Sequence, residues 1–539
     1  MAISRRRFLG TTAATIAGAS LAAGGIGTNA VAQSADTLRL AFAARGVRTI
    51  DPARSIQGAD EWAIIHIFDK LVEIPLGHFP ANTGEVQPSL ATSWSMSPDG
   101  KTWTFQLREG VKFQKGYGDF TSDDVKYTFD RLRNDKALGG NRVLFDNIAD
   151  VQVDGPMTVI FTLSKPDPLF IMGPLSHYSS SIVSRKALEE KGAEAFERDP
   201  VGTGPYQLAS VEADPSQGVK LTANPDYFGD APVTPNIQVR YIADTTARTL
   251  ALLSGDVHMI EGVRAPGWVP SIQQRNANLH FDVASPGSFF TISMNLAVKP
   301  FDDVRVRQAI AYLINRDEIA NAMAPVSQRT WGLNPPAFLG GFTKDTIPEP
   351  VRYDYDPDRA RQLLTEAGYP DGISFNAYTS QREDYSSVML IVQEQLRVGG
   401  INMALDIKDH TAFHADQAKG TNTIYQRSAA YPPVPTQAIT EQLSAPAAVK
   451  QDATGGPNFS RYGVEIPGID DLLNAAMEEP DLEKRVKLVQ DIEVKFLTDL
   501  PLLPIADNGY LVVRAADVDL GYELTSGYAH WRLTKAKIG

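Results

Sequence analysis

The run from Pro88 to Arg131 constrains the fold more than any other part of this chain. Trp94 and Met96 alternate with serine before Asp99-Gly100, and Trp103, Phe105 and Leu107 alternate with threonine and glutamine after it. Alternation at a period of two gives each strand one apolar face, and Asp-Gly is a turn dipeptide, so the spacing predicts a hairpin. The segment from Thr121 to Arg131 then reads as a helix.

At 539 residues the chain exceeds what one hydrophobic core usually supports, which predicts two or three lobes. Its formal charge of -13 argues against nucleic acid as a partner. Cysteine is absent from the sequence, which excludes disulfides, thiolate metal sites, a cysteine nucleophile and a lipid-modified N-terminal cysteine. At the N-terminus, Ser4-Arg5-Arg6-Arg7-Phe8-Leu9-Gly10 precedes an Ala/Gly/Thr-rich stretch, and Ala30-Val31-Ala32 supplies small residues of the kind a signal peptidase cuts. Residues 1–32 therefore look like a twin-arginine export signal, with the mature protein beginning near Gln33. The stretch is too weakly apolar to read as a membrane span. A periplasmic, soluble protein without a lipid anchor is expected.

Thr37-Leu-Arg-Leu-Ala-Phe42 reads as the first strand, and the breaker-rich loop from Ala43 to Pro52 is of the kind that faces a ligand cleft. Pro200-Val-Gly-Thr-Gly-Pro-Tyr206 has to be a fixed turn, since its prolines and glycines punctuate every other position. No phosphate loop is present; Gly100-Lys101-Thr102 is a decoy, because Ser95 stands where the first glycine of that motif belongs. Three helices are marked by apolar stripes. The first carries Val306, Ile310, Leu313 and Ile314 behind Asp303, and the second runs from Asp356-Pro357 through Ala360, Leu363, Leu364 and Ala367 to Gly368. The third carries Ile469, Leu472, Leu473 and Ala476.

The hairpin run, Pro200 to Tyr206, Asn224 to Tyr227, Leu252 to Asp256, Asn295 to Arg316 and Asp356 to Gly372 together resemble the extracellular solute-binding proteins of family 5, in family order. These are the large peptide- and nickel-binding subunits of ABC importers. The resemblance implies an α/β, two-lobed periplasmic binding protein fold, type II, of the large cluster with an extra subdomain and a ligand cleft between the lobes. It places lobe I at 33–285 with the subdomain inserted at about 76–195, lobe II at 286–504, and a C-terminal return to lobe I at 505–539. It also implies function as the periplasmic substrate-binding component of an ABC importer, capturing a peptide or peptide-like solute. Oligosaccharides, opines and metal chelates are alternative cargoes on the same fold. The partners implied are an ABC permease heterodimer in the inner membrane and the twin-arginine export machinery, with the protein itself a monomer.

Enzyme chemistry finds little support. No Gly-x-Ser-x-Gly elbow is present, and His410-Thr-Ala-Phe-His414 lacks the glutamate of a zinc-protease helix, so a polar helix explains it as well as a metal clamp. No catalytic residue, cofactor or metal is expected; a secreted hydrolase and a periplasmic chaperone stand as rival readings. By the resemblance, Arg382 in Thr379-Ser-Gln-Arg382-Glu-Asp-Tyr385 occupies the position of an arginine that meets the ligand carboxylate. The competing reading is a surface arginine paired with Glu383 or Asp384. The later loop, Ile424 to Pro435, departs from the family pattern by containing neither acid nor tryptophan, and offers Tyr425, Arg427 and Tyr431 instead. Their rings suit an apolar or sugar face, or equally the core. Arg45 and Arg48 face either the cleft or solvent, and Trp331 either caps the cleft or packs within a lobe.

Overall fold

Thr37–Phe42 is a strand, as its alternation predicts, and it lies inside a nine-stranded mixed sheet. It pairs in parallel with Asn236–Tyr241 on one side and with Met259–Glu261 on the other. Next come two long antiparallel strands, Leu502–Arg514 and His280–Met294, and then Ile424–Ala429 at the far edge. The computed structural model describes residues 36–55, 58–135, 138, 144–214, 216–450, 456–526 and 531–539. The export leader and the cleavage point near Gln33 lie outside the described residues.

The two long strands carry the chain between two hydrophobic cores. One core gathers side chains from residues 38–241, together with Ala284 and the C-terminal residues 510–536. The other gathers residues 289–506, joined by Ile74 and Phe79. Between the cores the strand register shifts from Ala284 opposite Tyr510 to Ser288 opposite Asn508, which leaves a bulge at residues 285–287. Asp507, fully buried there, accepts hydrogen bonds from Gly287 N at 2.7 Å and from the Ser285 hydroxyl. Among the described residues this carboxylate has no salt-bridge partner, and burial pushes its pKa up.

The predicted hairpin is two strands, Ala91–Met96 and Thr102–Leu107, inside a four-stranded antiparallel sheet with Thr158–Leu163 and Ile148–Val153. Trp94 lies opposite Phe105 and Met96 opposite Trp103, so each strand has the one apolar face its alternation predicts. Met96, at the end of an edge strand of the sheet, is nonetheless 37% exposed, while Trp103, Phe105 and Leu107 are buried. Helix Ser122–Asn134 follows, opened by a reciprocal pair of bonds between Thr121 and Asp124. Its Arg131 donates to the buried Asp51 at the end of the loop that leaves the first strand, so the subdomain helix holds that loop in place.

The turn at Pro200–Tyr206 is fixed by close backbone approach. A Cβ on Gly202 would lie 2.2 Å from the Ile67 carbonyl oxygen, and one on Gly204 would lie 2.5 Å from the Ile67 carbonyl carbon. Buried Gln114 completes the junction, its side-chain amide donating to Ile67 O, Gly204 O and Tyr206 O at 2.8–3.1 Å. Two of the striped helices fall where their caps predict. Asp303 accepts from Arg305 N ahead of Val304–Leu313, and Asp356 accepts from Arg359 N ahead of Pro357–Glu366. The third spans Ile469–Glu478, with Leu472 of its stripe left exposed. Among the described residues no helix is long and apolar enough to cross a membrane.

Candidate ligand cleft

Open α/β sheets place ligands at the carboxyl ends of parallel strands, where loops leave the sheet and helix N-termini gather. Two such ends occur among the described residues. In the first core, strand Thr37–Phe42 runs into Ala43, whose N–H donates to Glu261 Oε2 at 3.0 Å; Glu261 itself ends the neighbouring parallel strand. In the second core, Ile373–Ser380 pairs in parallel with Ile401–Lys408, and helix Glu383–Val398 crosses between them. Arg382 sits at the carboxyl end of the first of these strands and at the N-terminal edge of the helix.

The Arg382 guanidinium is held from its own side by Asp384, with Nε to Oδ1 at 3.1 Å and Nη2 to Oδ2 at 2.9 Å. It also lies over the Tyr385 ring at 5.8 Å. Its side chain remains 48% exposed. Burial works against its charge but is outweighed by Asp384, Tyr385 and Glu261, so its pKa is raised. Glu261, at the carboxyl end of the first core's strand, is the weakest of these influences on the Arg382 charge. Arg45, two residues beyond Ala43, is exposed and enters no ion pair among the described residues.

Beside Arg382 lie His410 and His414. Ser380 Oγ accepts from Arg382 N at 3.1 Å and meets His410 Nδ1 at 2.8 Å, while the two imidazole Nε2 atoms are 3.2 Å apart. Both rings are held toward the neutral form: His410 by burial, His414 and Arg382, and His414 by burial, Arg382 and Arg427. Among the described residues no group of three His, Asp or Glu side chains is placed to hold a metal ion.

The aromatic loop is less open than its sequence suggests. Tyr425, expected to offer a ring to the ligand, has no exposed surface; it stacks on Phe459 at 4.8 Å and its hydroxyl accepts from Asn422 N. Packing uses both of its polar and apolar ends, so it is a core residue in this structure. Tyr431 is 6% exposed and packs on Phe289. Arg427 donates to the Tyr431 hydroxyl and to Glu441 Oε2, both at 3.1 Å, which ties the loop to helix Pro435–Leu443. Arg48 is exposed, as one of its two readings expects. Trp331 is half-buried against the second core with the Arg329 guanidinium 3.8 Å over its ring. Its loop is anchored from behind by buried Glu493, which accepts from Leu333 N and Asn334 N.

The cores also meet directly. Arg485 reaches Asp167 at 3.5 Å, and Lys165 reaches Glu478 at 3.4 Å and Asn474 at 3.3 Å. Val434 lies so near Gly173 that a Cβ there would fall 2.4 Å from Val434 Cγ2. Glu261, Asp167 and Arg485 were not singled out from the sequence, since each is an ordinary charge until its partner on the other core is known.

The family described as bacterial extracellular solute-binding proteins, family 5 Middle, matches residues 85–451. The glutathione-binding protein GsiB of Salmonella paratyphi A is 35% identical over 329 residues, which are 60% of this chain and 62% of that protein. The match thus spans less than two thirds of the curated relative. Among solved structures, MoaA of A. tumefaciens R10 in complex with mannopinic acid superposes with a TM-score of 0.76 at 28% identity, covering 93% of this chain and 99% of that one. DppA of Helicobacter pylori, in complex with the peptide STSA, does so with a TM-score of 0.74 at 26% identity, covering 93% and 98%.

Proposed function

Because the chain belongs to the bacterial extracellular solute-binding proteins of family 5, we propose that it is the periplasmic substrate-binding component of an ABC importer. It captures a peptide or peptide-like solute between its two lobes and delivers it to a permease heterodimer in the inner membrane. The observation that carries this reading is that parallel strands of both cores end in loops of the kind that hold ligands, at Ala43 and Glu261 in the first and at Arg382 in the second. A ligand touching both loops binds the closed arrangement better than an open one, and that difference in affinity is what drives closure. The lobes divide at the bulge of residues 285–287 and its partner near Asp507, with the subdomain of residues 76–195 inside the first. Export runs through the twin-arginine machinery, and the mature protein is a monomer without a lipid anchor. No covalent step is required.

Arg382 is the anchor for an anionic or acceptor end. Asp384 pre-orients the guanidinium, and half of the side chain stays open to a newcomer. The loop from Ile424 to Pro435 supplies no acid for a free ammonium. An opine is the second reading, favoured by that missing acid and by the likeness to MoaA with mannopinic acid bound. Native mass spectrometry of unrefolded protein identifies retained cargo. Calorimetry on matched free, N-acetylated and C-amidated peptides then tests the anchor. Arg382→Ala is expected to weaken carboxylate ligands by about 2 kcal/mol, the low end for removing one member of a buried charge pair. N-acetylation costs little. A steep loss on N-acetylation with none on amidation would place the anchor elsewhere.

A further inference from the structure

One cavity lies behind the Ile424–Pro435 loop and does not include Arg382. It lies between the cores, holds about 450 Å³ and is walled by Pro166, Pro174, Val434, Thr440 and Met477, with Arg485 set into an otherwise largely apolar lining. That volume suits a small organic group. Arg485 has a side chain only 6% exposed, yet its five donors are poorly used. Nη1 meets Asp167 Oδ1 and Pro166 O at 3.5 Å each, the outer limit of a hydrogen bond, and Nε has no partner among the described residues. Arg307, equally buried, shows what a satisfied guanidinium looks like here: it donates to the carbonyls of Phe301, Asp302 and Asp499 at 2.6–3.0 Å.

The missing element at Arg485 is an acceptor, and charge decides which kind. Asp167 already balances the guanidinium, so a carboxylate drawn to buried Arg485 would bring an uncompensated negative charge beside it, and an ammonium offers no acceptor to its N–H donors. A neutral carbonyl does neither. Of the other charged walls, Glu441 pairs with Arg427 and Lys165 with Glu478, and Asp146 also lines the cavity. We propose that this cavity is a second binding site for an uncharged, carbonyl-bearing apolar group, such as an amide on an aryl or alkyl body. The carbonyl oxygen accepts from Arg485, and the body packs on Pro174, Val434 and Met477. Because those walls come from both cores, an occupant bridges them.

The test is calorimetric titration of the full mature chain with 4-phenylbutyramide, 4-phenylbutyrate and 4-phenylbutylamine, which share one body and differ in charge at the end. The amide is expected to bind at least tenfold tighter than either ion. Met477→Trp, which fills the cavity while leaving Arg485 and Asp167 in place, is expected to abolish amide binding. Equal affinity for the three compounds, no binding of the amide at millimolar concentration, or unchanged binding in Met477→Trp would each overturn the proposal. Native mass spectra without cargo would count against the importer reading and leave this titration standing, so the two failures are distinguishable.

Discussion

Gly173→Ala separates closure of two lobes from static packing of two cores. The added Cβ would fall 2.4 Å from Val434 Cγ2, with Leu169 O next at 3.5 Å. Carbon atoms pack at about 3.5–4.0 Å, so the cores must part by roughly 1 Å at this point or Val434 must give way. Gly173 shows no left-handed φ, so alanine adds no backbone strain of its own. Overpacking of this kind costs about 1–3 kcal/mol. If the lobes hinge, the ligand-free protein opens slightly and escapes that cost, and the whole penalty falls on the closed, liganded state. Ligand affinity then drops by roughly 5- to 150-fold, at 1.4 kcal/mol per factor of ten. The expected result by calorimetry and thermal unfolding is a near-normal ligand-free melting temperature, a reduced gain on adding cargo, and weaker binding. Val434→Ala removes the clashing methyl groups and should restore affinity in the double variant. If the ligand-free protein loses as much stability as the liganded one, or if Val434→Ala rescues nothing, the contact is fixed packing and the closure argument fails.

Stability should fall on both sides of a mid-pH maximum. Burial, with Asp60 beside it, pushes the Glu61 carboxyl from 4.5 up to about 8, so the folded state binds more protons than the unfolded one across that window and stability is lost as pH rises through it. Burial lowers His66 from 6.5 to about 4, while Leu533 N–H donates to its Nε2, so stability is lost as pH falls through that window. Denaturant melts from pH 5 to 9 check both; Glu61→Gln should flatten the alkaline limb, and an unchanged limb would assign it to another group. Gly204→Ala should cost about 2–3 kcal/mol by forcing a Cβ onto the Ile67 backbone, and a wild-type melting curve would refute the fixed turn. Replacing Arg5 and Arg6 by lysine should leave precursor in the cytoplasm; undiminished export of mature protein starting near Gln33 would exclude twin-arginine dependence.

The sequence by itself determined what depends on neighbours a few residues away. Strand Thr37–Phe42, the helices behind Asp303 and Asp356, and the hairpin around Asp99-Gly100 follow from periodicity, caps and turn residues, because those forces act within one or two turns of chain. The rigidity of Pro200–Tyr206 was legible too, although its cause, the Ile67 backbone and the Gln114 amide, was not. What tertiary structure decided is which face of each element is covered. Tyr425 and Arg427 share a strand face by parity, yet Phe459 covers the first while the second reaches Glu441, and period two does not say what lies opposite. Arg382 met Asp384 as one of its two local readings foresaw, but the influence of Glu261 on its charge needed both cores. Met96 lies on the predicted apolar face yet is 37% exposed, because an alternating pattern does not reveal that its strand is an edge. The contact of Arg485 with Pro166 joins residues 319 positions apart. No local preference encodes such a pair: burial and charge set its energy only after the chain has brought the two lobes side by side.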